Sequence, residues 1–149
     1  MELLIIGTDP PCPRCDRTEM MAARIIKECG TDCTIRMLDL YSEEAGRIAE
    51  AMGRMIGTTN EISKASGVAV DRKAFAAAVL KASEGKDDNC RPGELWSPAF
   101  DEALDAVSKA AEQVNYYMTP VILVDGELLW HGSVPPEEEL RKWITEKAG

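Results

Sequence analysis

Residues 3–15 read Leu-Leu-Ile-Ile-Gly-Thr-Asp-Pro-Pro-Cys-Pro-Arg-Cys, an apolar run that passes through a turn into two cysteines separated by two residues. Four consecutive apolar residues followed by glycine and proline predict a strand buried on both faces of a sheet. After Pro13, apolar residues recur at helical spacing as far as Cys29, and Gly30 predicts the end of that helix. Apolar and polar residues alternate over residues 33–40, and this pattern predicts a second strand. This order of strand, helix and strand predicts a right-handed parallel crossover.

The end of the chain predicts a hairpin followed by a helix. Residues 121–124 and 128–131 are apolar runs on either side of residues 125–127, Asp-Gly-Glu. An Asp-Gly pair between apolar runs is a strong signal for a tight hairpin turn. Residues 133–139 then carry prolines and acids typical of a first helical turn, and the apolar residues in 140–144 would dock this helix on the sheet.

The segment between these two ends is predicted to be helical. Residues 42–117 show helical spacing of apolar residues, except in a polar loop at 84–95 that is rich in Gly and Pro. We therefore predict a single domain over residues 1–149. Its core consists of residues 1–41 and 118–149, and the segment between them is an all-helical insertion.

Composition and charge exclude several classes of function. The chain has 45% hydrophobic and 29% charged residues, which is a globular balance, and its net charge is −9. A nucleic acid partner is not expected, because an acidic chain lacks a surface that follows phosphates. A membrane partner is not expected either, because no apolar run reaches 18 residues. The first residues lack the basic start and long apolar run of a signal peptide, so we expect a cytoplasmic protein.

Cys12-Pro13-Arg14-Cys15 is the motif that carries chemistry. It follows a predicted strand and opens a predicted helix. A thiolate at a helix N-terminus has a lowered pKa, because the helix dipole and unpaired backbone N–H groups stabilise its charge. Pro13 suits the first helical turn, and Arg14 adds a positive charge beside the nucleophile. We predict that Cys12 attacks a disulfide and that Cys15, facing partly inward, resolves the mixed disulfide.

The sequence resembles the thioredoxin superfamily over the two parts of the predicted core, in the order β-α-β and then β-β-α. The matching motifs are the C-x-x-C motif after the first strand and Thr119-Pro120 immediately before the third. The resemblance implies a three-layer α/β sandwich around a central four-stranded mixed sheet. It also implies that Pro120 is cis and lies against the cysteines, and that the backbone of Thr119 binds an extended substrate. The candidate substrate-binding residues are therefore Pro13, Arg14, Thr119 and Pro120.

The chain also departs from thioredoxins. Pro11 stands where thioredoxins have an aromatic residue, and Pro13-Arg14 replaces their Gly-Pro pair. The resulting C-P-x-C motif is similar to that of glutaredoxins and of DsbA-like proteins, and the insertion is placed as in DsbA-like proteins. The Gly-Gly-Asp pattern by which glutaredoxins hold glutathione is not visible after the hairpin, where only Gly132 stands. Both directions of exchange, oxidant and reductant, stay open.

The predicted function is a thiol–disulfide oxidoreductase that exchanges disulfides with protein partners and needs no cofactor. A separate reductase or oxidant would restore the Cys12–Cys15 pair. One alternative is a module that binds zinc or an iron–sulfur cluster through Cys12 and Cys15, shared between two chains. A site formed by Cys12, Cys15, Cys29 and Cys33 of one chain is excluded, because a helix over 13–29 places Cys29 about 21 Å beyond Cys15. A second alternative is a non-catalytic scaffold that docks through the insertion.

The remaining candidate residues are interpreted as follows. Cys29 and Cys33 are expected to be small buried residues rather than a second redox pair. Cys90 lies in the polar loop and would resolve a disulfide only if the insertion folds over the active site. His131 is expected to be structural. The insertion itself is expected to cover or extend the cleft beside Cys12 and Thr119 and so to select the partner.

Overall fold

The computed structural model describes residues 1–148. In chain order its elements are β1 (Glu2–Gly7), α1 (Pro13–Cys29), β2 (Thr34–Asp39), α2 (Glu43–Met52), β3 (Met55–Gly57), α3 (Thr59–Ser66), α4 (Arg72–Ser83), α5 (Pro98–Ala110), β4 (Tyr116–Met118), β5 (Val121–Val124), β6 (Glu127–His131) and α6 (Glu137–Ala148). Short 3₁₀ helices span Pro92–Leu95 and Glu112–Val114.

The central sheet has four strands in the order β2-β1-β5-β6. β1 pairs in parallel with β2 and antiparallel with β5, so that Ile5 stands opposite both Met37 and Ile122. β5 and β6 are antiparallel and are joined at Asp125-Gly126, where φ is positive at both residues, as a tight hairpin turn requires. The predicted four-stranded mixed sheet and both of its supersecondary units are therefore confirmed.

The side chains of β1 alternate between two buried faces, which makes the fold three layers thick. Leu3 and Ile5 are fully buried against α1 and α6, whereas Leu4 and Ile6 pack on the opposite face with residues of α2 and β3. Because both faces are covered, the strand needs no polar residue between Leu3 and Ile6. The packing accounts for the continuous apolar run in the sequence and confirms the α/β sandwich.

Residues 42–117 differ from the all-helical expectation. They contain β3 and the first residues of β4, which form a separate two-stranded parallel sheet with Ile56 opposite Tyr117. Gly53 ends α2 with φ 79°, and Thr58 already caps α3. Too few residues lie between them to form a helical turn with its caps. These residues pair instead with the segment that follows Asn115.

The 42–117 segment forms a second hydrophobic core together with Met118. Ile62 of α3 and Val107 of α5 pack with Ala111 and with Met118 of β4, and all four side chains are buried. Met118 immediately precedes Thr119-Pro120, so this second core ends at the central sheet. Within residues 1–148, no helix is both long enough and apolar enough to cross a membrane.

Candidate active site

Cys12 is held at the start of α1 by its own backbone. It is the N-cap residue, with an extended conformation (φ −74°, ψ 169°), and Pro13 occupies the first helical position. The Cys12 N–H donates to Thr8 Oγ1 at 2.9 Å, and the Cys12 carbonyl accepts the Asp16 N–H at 3.0 Å. The Cys12 side chain does not cap the helix. Its sulfur therefore lies at the positive end of the helix dipole and is half-buried.

Cys15 lies directly behind Cys12 and is fully buried. The two sulfur atoms are 3.3 Å apart, and both residues are free thiols. Gly7, the last residue of β1, makes room for this thiol, because a methyl group added there would overlap Cys15 Sγ. Gly7 is a site residue that the sequence reasoning missed. Its signal is a glycine that ends a buried strand just before the cysteine motif.

The two thiols have opposite shifts in pKa. The Cys15 thiol donates a hydrogen bond to ionised Cys12 and lowers the Cys12 pKa from 9.0 to about 6. Burial opposes this change, while the backbone N–H groups of Cys15 and Arg14 and the charge of Arg14 support it. The same hydrogen bond, burial and the Cys12 charge raise the pKa of Cys15. At neutral pH the pair thus consists of an outer thiolate and an inner thiol.

Arg14, between the two cysteines, lies in the interior and is only 2% exposed. Its Nε is 2.8 Å from Asp101 Oδ1 of α5, and the guanidinium also donates to the Gly132 carbonyl and to Ser108 Oγ. The second oxygen of Asp101 accepts the Val134 N–H at 3.0 Å. Arg14 therefore fastens the start of α1 to α5 and to the loop after β6, besides contributing positive charge near the thiolate.

Asp16 is a second buried charge in the first turn of α1, and sequence reasoning missed it. Its carboxylate accepts two hydrogen bonds from Arg91, at 2.6 and 3.3 Å, and one from the Gly93 N–H at 2.7 Å. A side chain at Gly93 would meet the Asp16 carboxylate and the backbone of α1. Asp16 thus ties the 84–95 loop to the helix that carries the cysteines. An acid directly after a buried cysteine is the only signal for it in the sequence.

Thr119 and Pro120 are both buried, and the peptide bond between them is cis. The Thr119 N–H donates to the Gly57 carbonyl of β3 at 3.0 Å, which extends the pairing of β3 with β4. The backbone N–H of Met118 donates to His131 Nδ1 at 3.2 Å, so His131 has a structural contact beside this turn. Burial lowers the pKa of His131, which favours the neutral ring that this hydrogen bond needs.

A cavity of about 500 Å³ opens beside Cys12. Four of the sequence-derived site residues line it together: Cys12, Pro13, Arg14 and Thr119. Cys15 lies behind Cys12, and Pro120 is buried outside the lining. The rest of the lining comes from Thr8, from the N-terminal turns of α3 and α4, and from α5. The 42–117 segment therefore forms one wall of the cavity next to the thiols.

The other three cysteines lie apart from the C-x-x-C motif. Cys29 ends α1, where Arg141 Nη1 is 3.5 Å from its sulfur, and burial raises the pKa of Cys33 just before β2. Both pack at the edge of the core between α1, α6 and the sheet. Cys90 precedes Arg91 in the loop that Asp16 holds. Within residues 1–148, no group of three or more His, Cys, Asp or Glu side chains is arranged to hold a metal ion.

Comparisons with known proteins give one match. A family model described as a thioredoxin domain matches residues 98–145, which run from α5 through Thr119-Pro120 and the hairpin into α6. No curated protein and no solved structure matched the chain. The matched region contains half of the central sheet, and the C-x-x-C motif lies at the end of the adjacent strand β1. The match over residues 98–145 and the four-stranded mixed sheet agree, and together they support membership of the thioredoxin superfamily.

Proposed function

We propose that this chain is a thiol–disulfide oxidoreductase that exchanges disulfides with protein partners through Cys12 and Cys15. The observation that carries the proposal is the placement of the two sulfurs, 3.3 Å apart at the start of α1, with one beside a cavity and the other buried. A low-pKa outer thiol and a protonated inner thiol suit the roles of attacking and resolving nucleophile. A family assignment alone would not support this function, because unrelated activities share folds.

The proposed reaction begins with the Cys12 thiolate attacking one sulfur of a partner disulfide. The partner's S–S bond breaks, a mixed disulfide forms at Cys12, and the other partner sulfur leaves as a thiolate that takes a proton. Cys15 then loses its proton and attacks Cys12 Sγ. The Cys12–Cys15 disulfide forms and the partner's second thiol is released. Two electrons pass from the dithiol to the partner, and an external dithiol would have to restore them.

The direction of exchange depends on the reduction potential of the pair, which varies widely among proteins with this chemistry. We propose that the reaction runs in the cytoplasm. The chain has five cysteines, and an odd number suits a compartment that keeps thiols reduced. Thiol labelling of the Cys12–Cys15 pair in defined glutathione or dithiothreitol buffers would measure the potential and assign the direction.

The direct test is reduction of insulin disulfides with dithiothreitol as electron donor. Cys12→Ser should abolish the protein-dependent rate, whereas Cys90→Ser, a cysteine of the exposed loop, should leave it unchanged. Cys15→Ser should accumulate a mixed disulfide with insulin, visible as a mass adduct on Cys12. Full turnover by Cys12→Ser would refute the proposal. Stoichiometric zinc or iron in freshly purified protein, lost in a Cys12/Cys15 double variant, would support a metal-binding module instead.

A further inference from the structure

We infer that the partner segment reaching Cys12 carries an apolar side chain and a carboxylate next to its disulfide-bonded cysteine. This inference rests on the proposed disulfide exchange and assigns a substrate class to the same site. It follows from the walls of the cavity beside Cys12, which the 42–117 segment supplies, and from the charge on those walls. At about 500 Å³, the cavity lies in the range of roughly 300–1,000 Å³ that holds small ligands or a few side chains.

The apolar wall is built by two helices of the 42–117 segment. Phe100 and Leu104 of α5 are nearly fully buried and close the floor of the cavity. Phe75 of α4 stands over them, with its ring centroid 4.8 Å from that of Phe100 in an edge-to-face arrangement, and it is only half-buried. A partner's aliphatic or aromatic side chain placed here would cover the exposed part of Phe75 and gain the free energy of apolar burial.

The charge on the lining is opposite in sign to that of the whole chain. The chain carries a net charge of −9, yet the charged side chains that line the cavity are Arg14 and Arg72, with no carboxylate among the described lining residues. Arg14 is already paired with Asp101. Arg72 begins α4 and is exposed, so its charge is available to a ligand.

Two carboxylates that adjoin the lining residues of α3 and α4 in sequence are engaged elsewhere. Glu61 accepts the Thr58 N–H and the Tyr41 hydroxyl. Asp71 caps α4 by accepting the Ala74 N–H at 3.0 Å. Neither carboxylate lines the cavity beside Cys12. A carboxylate on the partner would therefore meet Arg72 without a competing acid on this wall.

The hydrogen bonding of the Thr119 backbone indicates that a partner is selected mainly through its side chains. The Thr119 N–H is bound to the Gly57 carbonyl, so a partner's backbone has only the Thr119 carbonyl left to bind. A partner segment hydrogen-bonded to both the N–H and the carbonyl of Thr119 would be bound through its backbone. Its side chains would then contribute little to selection. With one of the two groups occupied, selection shifts to the walls beside the thiolate, which are apolar at α5 and positive at the start of α4.

The test uses three short synthetic peptides as disulfide-linked dimers, with Leu-Cys-Glu, Leu-Cys-Gln and Gly-Cys-Glu at their centres. The second-order rate constant for oxidation of the reduced protein is measured at low and high salt, by chromatography of the released thiol peptide. We expect Leu-Cys-Glu to react about two- to fivefold faster than Leu-Cys-Gln at low salt, which is the size of an exposed ion pair. High salt should remove the difference.

Two variants and one control variant assign the preference to individual residues. Arg72→Gln should abolish the Glu-over-Gln preference, and Lys73→Gln should preserve it, because Lys73 is exposed on the same helix and does not line the cavity. Phe75→Ala should slow the two leucine peptides and leave Gly-Cys-Glu unchanged. Equal rates for the Glu and Gln peptides, or a preference that survives Arg72→Gln, would overturn the inference. In either case Cys12-dependent release of the thiol peptide would still support the proposed function, whereas release by Cys12→Ser at the normal rate would refute that function itself.

Discussion

Removing the Cys15 thiol should raise the pKa of Cys12 without removing the nucleophile. The lowering of this pKa from 9.0 to about 6 corresponds to about 4 kcal/mol in favour of the thiolate. Its largest cause is the hydrogen bond from Cys15. A hydrogen bond to a charged group contributes about 1.5–3 kcal/mol, equivalent to about one to two pH units. In Cys15→Ala we therefore expect a Cys12 pKa of about 7–8, since the backbone N–H groups and Arg14 still act.

The measurement is the pH dependence of Cys12 alkylation, with the modified site identified by mass spectrometry. The thiolate is the reactive form, so the rate rises with pH and levels off above the pKa, with a midpoint near 6 in the native protein. The midpoint is used rather than the rate at one pH, because a thiolate of higher pKa is also a stronger nucleophile. Cys15→Ser is the matched control, since its hydroxyl can still donate to Cys12. An unchanged midpoint in Cys15→Ala would refute the assignment.

Two further predictions concern the packing of the site, and both are measured by chemical denaturation under reducing conditions. Gly7→Ala should lower the free energy of unfolding by about 1–3 kcal/mol, because the added methyl group overlaps Cys15 Sγ in a filled core. Asp101→Ala should lower it by about 3–5 kcal/mol, because it leaves the buried guanidinium of Arg14 without its carboxylate.

Each packing prediction has a matched control elsewhere in the chain. Gly46→Ala, within α2 where nothing lies within 4 Å of the added methyl group, should instead stabilise the fold by about 0.5–1 kcal/mol. Asp105→Ala removes the exposed ion pair with Lys109 and should change stability by less than about 1 kcal/mol. If Gly7→Ala were as stabilising as Gly46→Ala, the close contact at the cysteine would be disproved. Equal effects at Asp101 and Asp105 would contradict the buried role of Arg14.

The central sheet was predictable because its signals are local. The run at residues 3–6 is apolar on both faces, the helix from Pro13 ends at a glycine with φ 62°, and Asp125-Gly126 has the turn chemistry of a hairpin. Each signal acts over a few residues and agrees with the tertiary packing. The spacing of apolar residues and the positions of turn residues are therefore enough to predict these elements. The sequence from Thr58 to Glu61 has the form of a capping box, which is an equally local signal, and the structure contains this capping box.

The parts that escaped prediction depend on contacts distant in sequence. Arg14 was interpreted as a charge beside the nucleophile, but its ion pair is with Asp101, which local patterns cannot show. The same holds for Asp16 and its partners near residue 91. β3 is too short for a periodic signal, and it forms a strand only because the chain near residue 116 lies beside it. Arg14 and Asp16 can be buried because their charges are paired. Their burial is therefore predictable only when their distant partners are known.

Arg14 and Asp16 stand on either side of Cys15 in the sequence, and both bind residues of the 42–117 segment. Arg14 binds α5, and Asp16 binds the loop around Arg91. The first turn of α1, which sets the distance between the sulfurs and the direction of the Cys12 thiolate, is thus held by the same segment that walls the cavity. A loss of packing in α5 should therefore alter both partner choice and the reactivity of Cys12. The 42–117 segment is therefore joined to the same helical turn that carries Cys12 and Cys15.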